Sequence, residues 1–270
     1  MSIAASLPQI QQQSWFDSTV GRYLQAKEQA LYDQAVFDLF GFNALQMGYE
    51  QLPLLRNSRI PNRYVASAFV DNEVQYHLSC SDDFLPFADM SLDLLLLPHR
   101  LEFSERPHQT LREAARVMMP EGHLLISGFN QLSLWGATAS FKKLFSDTAS
   151  YPWNGKFIGL ARLKDWLALL GFEVVSVEMC CHVPPFEQTV WYRRFLFLDK
   201  VSGQRCAMLG GVYFIVAKKR VAGMTPIKPN WKLSPLKSSL VIGPTRSKPT
   251  QMHSSKLSLN KKNSRKKYEQ

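Results

Sequence analysis

The sequence predicts an α/β fold: a mainly parallel sheet with an antiparallel last strand and helices on both faces. Three observations carry that expectation. Between residues 44 and 177, apolar runs of strand length alternate with segments of helical period, the pattern of strands joined by crossover helices. Leu92–Leu97 (LDLLLL) is apolar almost throughout rather than alternating, which suits a strand covered on both faces. The last two strand candidates, 172–177 and 212–217, have no clear helical crossover between them, and that favours antiparallel pairing.

Each element can be justified in turn. Residues 1–14 are rich in Gln and Ser and read as a frayed start. Residues 18–40 place Tyr23, Leu24, Leu31, Ala35 and Phe37–Leu39 at near-helical spacing with charges between them, and Gly41 ends the run. Ala44–Gly48 (ALQMG) is a short strand stopped by glycine, Arg63–Val70 a second, and Val74–Leu78 a weaker third. After the Leu92–Leu97 strand, Pro107–Met119 reads as a helix with Leu111, Ala114, Ala115 and Met118 on one face. Pro120-Glu121-Gly122 is expected to turn the chain into a strand at His123–Ser127. Leu160–Leu170 is a helix with Leu163, Trp166, Leu167 and Leu170 inward, capped by Gly171.

Charge divides the 270 residues unequally. The net charge of +10 suggests a nucleic-acid binder, but residues 218–270 hold 14 Lys and Arg against one acid, Glu269. That segment is +13, and the remaining body, with 18 bases and 21 acids, is −3. From 221 onward five Pro, eight Ser and scattered Lys show no apolar period, the composition of a disordered basic tail. The expected organisation is a flexible 1–17, a folded 18–220 and a tail over 221–270. The tail could touch nucleic acid or an anionic surface weakly, or act as a solvating extension. Its two aromatics, Trp231 and Tyr268, are too sparse for a stacking platform.

Cys80, Cys180, Cys181 and Cys206 include no C-x-x-C pair, as expected of reduced thiols in a cytoplasmic protein. The six His form no H-E-x-x-H arrangement, so no metal site is expected. The apolar run at 92–97 is far below the ~20 residues a spanning helix needs. The oligomeric state is not legible.

In an open α/β sheet, ligands bind outside the carboxyl ends of the strands. Those ends here are Gly48–Glu50, Ser67–Asp71, Ser81–Phe84, Pro98–Glu102 and Ser127–Asn130, and they collect polar residues the strands lack. His99 is a candidate general base, since imidazole titrates near neutrality; a strand-end brace is the alternative. Glu102 more simply braces the helix that follows, and Asp93, at the amino end of its strand, is expected to be structural.

The most specific stretch is S81-D-D-F-L-P-F-A-D-M-S-L-D-L-L-L-L-P-H-R-L-E-F followed by L111-R-E-A-A-R-V-M-M-P-E-G-H-L-L-I-S-G-F-N130. It resembles the central block of the class I S-adenosylmethionine-dependent methyltransferases of the methyltransferase-11-like type. Leu85-Pro86-Phe87, Ser91-Leu92-Asp93, Leu101-Glu102, Leu111-Arg112-Glu113, Arg116, Pro120 and Gly122 match that pattern in order and spacing. The likeness covers about 20–220, including Gly21–Leu24, Leu45–Gly48, Ser133–Gly136 and Trp153–Gly155, and looks like an uncharacterised proteobacterial subgroup. It implies a Rossmann-like sheet, S-adenosylmethionine as cofactor and methyl transfer to a small-molecule acceptor. Gln46 and Gly48 would meet the methionine part of the cofactor. Asp82 or Asp83 would face the adenine amino group, with Phe84 and Leu85 lining the ring. Pro98-His99-Arg100 would run under the methyl, and Asn130 and Trp135 would line the acceptor site, with core packing the alternative.

The sequence departs from the family in two places. Gly48-Tyr49-Glu50-Gln51-Leu52 keeps only the first of three loop glycines. About 20 residues on, where an acid for the ribose hydroxyls is expected, stands Ser67, with Asp71 and Glu73 nearest. These losses raise two rivals: a binding or regulatory protein that keeps the fold without turnover, and an RNA-directed methyltransferase using the tail.

Overall fold

The computed structural model describes residues 14–49, 52–67, 78–145, 150–185 and 210–221. The expected frayed start, most of the weak third strand and nearly all of the basic tail lie outside the described residues. The described elements belong to one compact unit, Met1–Gly223.

A seven-stranded sheet organises that unit. Its strands are β1 (Asn43–Met47), β2 (Asn62–Ser67), β3 (Leu78–Ser79), β4 (Leu92–Pro98), β5 (Met118–Phe129), β6 (Phe172–Cys180) and β7 (Val212–Lys219). They lie in the order β3-β2-β1-β4-β5-β7-β6. Pairs from β3 through β5 are parallel, and β7 runs antiparallel to both neighbours. The expected α/β class, with its antiparallel finish, is the one observed. Strand order reverses between β1 and β4, which opens a crevice at their carboxyl ends.

Among the described residues, the sheet is covered by α1 (Thr19–Phe37), α2 (Pro107–Val117), α3 (Leu134–Phe145) and α4 (Leu160–Leu169). Alternation along β4 divides the core. Leu94 and Leu96 pack with α1 and α3, while Leu95 and Leu97 pack with α2 and α4. All four leucines are fully buried, which is why this strand reads as an unbroken apolar run.

Helix ends follow local chemistry. The Ser18 hydroxyl accepts the Gly21 N–H at 3.0 Å and caps α1. Gly171, at φ +81°, lets the chain leave α4 in a left-handed turn. Lys219 Nζ donates to the carbonyls of Ala115 and Met118 at the end of α2.

Two expectations change. The inward stripe of α1 is Leu24, Glu28, Tyr32 and Val36, so a carboxylate stands on the buried face and Phe37 faces outward. Pro120–Gly122 is not a separate turn but an irregular part of one strand. The β4–β5 register shifts between Leu92 and Leu94, and Glu121 takes φ +65°. A bulge absorbs the extra residues.

Candidate functional site

Gly48 follows β1 in the left-handed region, at φ +81°. A Cβ built there would meet only Arg100 Cδ at 3.7 Å and Nη1 at 4.0 Å. This turn therefore has open space on the side a ligand would approach. Gln46 holds the loop in place from below. Its side-chain amide donates to the carbonyls of Gly48, Tyr49 and Leu52, and its oxygen accepts the Leu54 N–H. Gln46 is buried, so the sequence-predicted pair at 46 and 48 divides into a brace and an open turn.

Asp82 follows β3 and is tied to the Gly48 turn through Arg100. Arg100 Nε donates to its Oδ1 at 2.6 Å, with side chains 19% and 14% exposed respectively. Burial raises the Asp82 pKa, and the guanidinium offsets this only in part. Phe84 is exposed, with the Arg116 guanidinium 5.9 Å from its ring centre. Leu85 differs from its expected place. It is buried, and the Glu113 carboxylate accepts its N–H at 3.2 Å, so it supports the 81–84 turn from within the core. Asp83 is only partly exposed, and its N–H donates to the Ser81 hydroxyl at 3.4 Å.

The end of β4 carries a buried charged cluster. His99 is buried at φ +47°, with its Nε2 2.8 Å from Glu28 Oε1 and its Nδ1 2.9 Å from Glu102 Oε2. Burial alone would lower the imidazole pKa. The Glu28 and Glu102 carboxylates outweigh it and hold the value at about 10. His99 thus carries its proton at neutral pH, with both ring nitrogens engaged. A general base needs a free nitrogen within reach of the proton it abstracts, so that role does not fit this geometry. Glu102 also accepts the Phe129 N–H, and so ties β4 to β5 as well as charging the imidazole.

Tyr49, at φ +55°, stacks on His99 with ring centres 5.6 Å apart. Two adjacent non-glycine residues in the left-handed region store backbone strain of order 1–3 kcal/mol each. Such strain persists where surrounding structure over-determines it, commonly at functional sites.

The two acceptor-side residues turn inward. Asn130 Nδ2 donates to the Gly210 carbonyl and its Oδ1 accepts the Leu132 N–H, which joins the end of β5 to the start of β7. Trp135 is fully buried, donates Nε1–H to the Val183 carbonyl and stacks on Phe129. Both act as packing here, and neither presents a free polar group to a ligand.

Two partners escaped the sequence reading. Glu28 lies 71 positions from His99, and its only sequence signal was an acid in register with the apolar stripe of α1. The Arg100–Asp82 pair joins two loops, and adjacency in the strand-end inventory was the only hint. Ser67, at the place where the ribose acid is expected, ends β2; Asp71, Glu73 and Glu50 lie outside the described residues. Cys80 and Cys180 are free thiols, and the Cys181 Sγ lies 3.6 Å from that of Cys180. Among the described residues no group of His, Cys, Asp and Glu could hold a metal ion, and no helix is long and apolar enough to cross a membrane.

Known proteins share this arrangement. Residues 60–126 match the family model for a methyltransferase domain. The uncharacterized protein YafS of Escherichia coli (strain K12) is 37% identical over 155 residues, which is 57% of this chain. The match also spans 57% of YafS, so the chain covers little more than half of that relative's length. A S-adenosylmethionine-dependent methyltransferase of Thermotoga maritima superposes with a TM-score of 0.55 at 17% identity, covering 77% of this chain and 94% of the other. A chain from the complex of the Haloferax volcanii Trm112 methyltransferase activator gives 0.52 at 15% identity, covering 72% and 89%. Residues 60–126 thus match a methyltransferase domain, and the fold around them is the one shared with solved S-adenosylmethionine-dependent methyltransferases.

Proposed function

We propose that the protein binds S-adenosylmethionine at the β1–β4 crevice and transfers its methyl group to a small-molecule acceptor. The observation that carries this reading is the left-handed Gly48 turn, with Arg100 beside it and paired to Asp82 at the end of β3. The residues fit the cofactor's chemistry. Asp82 supplies an acceptor for an amino group, and exposed Phe84 supplies a ring face beside it. Glu28, Glu102 and Asp82 against His99 and Arg100 leave this edge one charge negative, which suits a ligand whose sulfonium and ammonium outnumber its carboxylate.

When bound, the cofactor supplies an activated methyl on a sulfonium, transferred by in-line displacement. The chain's task is to hold the two reactants in line and exclude water. Gln46 fixes the loop that would carry the methionine part. The Glu28–His99–Glu102 cluster fixes the end of β4 and pins α1 above it, so His99 is a positioning residue. No general base is supplied by His99. The acceptor is therefore one that reacts without proton removal at that position, such as a neutral amine or a thiolate.

Calorimetric titration of the full chain with S-adenosylmethionine and S-adenosylhomocysteine tests the reading. Micromolar binding that Gly48→Trp abolishes is the expected result. No heat at millimolar cofactor would overturn it. A second reading, a fold-retaining binding protein without turnover, draws on the doubly occupied His99 ring. Cofactor binding without formation of S-adenosylhomocysteine from any of a panel of amine and thiol acceptors would favour it. For the basic segment 218–270 we propose weak contact with polyanions, and binding of RNA or anionic vesicles at two salt concentrations tests it. Affinity insensitive to salt would remove it.

A further inference from the structure

We infer that Arg100 is the anchor for the α-carboxylate of the cofactor's methionine moiety. The inference rests on the proposed cofactor site and assigns a recognition element within it. Arg100 lies against the Gly48 turn, with Cδ at 3.7 Å and Nη1 at 4.0 Å from a Cβ built there. Its Nε is committed to Asp82. Nη1 and Nη2 make no hydrogen bond to the described residues, and the side chain keeps 19% of its surface exposed. A guanidinium presents a planar fork of donors that matches a carboxylate bidentately. Here the fork is held in orientation by Asp82 before any ligand arrives.

The loop itself explains why a side chain is needed. A glycine-rich loop ordinarily cradles an anion with its own backbone N–H groups. Among the described residues of this loop, three such donors are spent internally. Gly48 N–H donates to the Ala66 carbonyl, Leu52 N–H to the Tyr49 carbonyl and Leu54 N–H to Gln46 Oε1. With the second and third glycines replaced by Glu50 and Leu52, the loop folds on Gln46 rather than on a ligand. Arg100 restores positive charge at the same turn from the neighbouring strand end. Asp82 then serves two ends of one ligand: it orients Arg100 toward the carboxylate and offers its remaining oxygen toward the adenine side.

The test compares S-adenosylmethionine with decarboxylated S-adenosylmethionine, which keeps the sulfonium and the amine and lacks only the carboxylate. Calorimetry on the full chain should show the parent ligand binding about 10-fold or more tightly, the size of a charge-assisted hydrogen-bonded contact. Arg100→Gln should remove that preference by weakening the parent ligand alone. Arg100→Lys should keep part of it. Asp82→Asn should weaken both ligands and leave a preference. Unliganded melting temperatures report whether each variant folds, and Arg100→Lys keeps the test decisive if the glutamine variant does not. Equal loss for both ligands in Arg100→Gln, or no preference in the parent protein, overturns the assignment alone. If the parent protein binds neither ligand nor S-adenosylhomocysteine, the cofactor reading falls with it.

Discussion

At the amino end of β4, the Asp93 carboxylate accepts the backbone N–H groups of Phe42 at 2.7 Å and Asn43 at 3.0 Å, in contact with water. At the carboxyl end of the same strand, His99 is sealed between two carboxylates and touches no water. Asp93 satisfies donors that the chain would otherwise leave to solvent. His99 satisfies nothing in the backbone with its ring; it exists to neutralise Glu28 and Glu102, and they to charge it. One end uses charge to close a chain path, and the other spends stability on a buried charged cluster. Perturbed groups and strained backbone gather where a fold does chemistry, and at the carboxyl end of β4 the two coincide in one buried cluster, His99 at φ +47° between Glu28 and Glu102.

His99→Ala should show the larger cost of the two ends. Removing it leaves two buried carboxylates facing each other without a cation, and breaking a buried pair costs about 3–5 kcal/mol. Chemical denaturation of the two proteins at pH 7 measures the difference. A loss below about 1 kcal/mol would mean that water enters the cluster, and the contrast with Asp93 would vanish.

Stability should also depend on pH through His99. Its pKa in the folded chain, about 10, stands above the unfolded value near 6.5. The contribution is therefore complete below about pH 6.5 and declines as pH rises toward 10, by up to roughly 1.4 kcal/mol per pH unit for one proton. Denaturation midpoints measured from pH 6 to pH 10 should fall in the parent protein and flatten in Glu28→Gln, where one of the two supporting charges is gone. A parent profile that rises across this window would show the imidazole to be neutral.

Much of this frame was legible in the sequence because its signals are local. The LDLLLL run announced a doubly covered strand, and L-P-F with L-R-E-A-A-R located the β3–β5 block. Asp93 was read as structural from its place before an apolar run. The site was less legible because its defining contacts are remote in sequence. Glu28 meets His99 across 71 positions and Asn130 meets Gly210 across 80. Spacing cannot separate a ligand-facing polar residue from a satisfied core one. Asn130 and Trp135 looked like pocket residues for that reason, whereas β7, inserted between β5 and β6, buries them. The bulge at Pro120–Gly122 was misjudged because its residues are turn formers that here stay within a strand.

Gly48→Ala sharpens the comparison at lower energy. No atom blocks the new methyl group, since the nearest is Arg100 Cδ at 3.7 Å. The left-handed backbone alone should cost about 1–2 kcal/mol, read as a lower melting temperature with the fold intact. Loss well beyond that would mean that the loop and the charged cluster unfold together.

Asp93→Ala should give the smallest effect, about 1 kcal/mol, and its reason completes the contrast. The carboxylate makes two hydrogen bonds, but Phe42 is 73% exposed and its N–H bond lies at the surface. Water can replace a lost partner there, so the penalty for an unsatisfied buried donor does not arise. Both N–H groups donate to the one oxygen Oδ2, so Asp93→Asn keeps an acceptor for both and should recover part of the loss. Full recovery would assign the role to hydrogen bonding, and none would assign it to charge. Denaturation of both variants beside His99→Ala, in one buffer, sets the two ends of β4 on a single scale. If Asp93→Ala cost as much as His99→Ala, burial would not be what separates them, and the carboxyl end would lose its claim to be the functional one on these grounds.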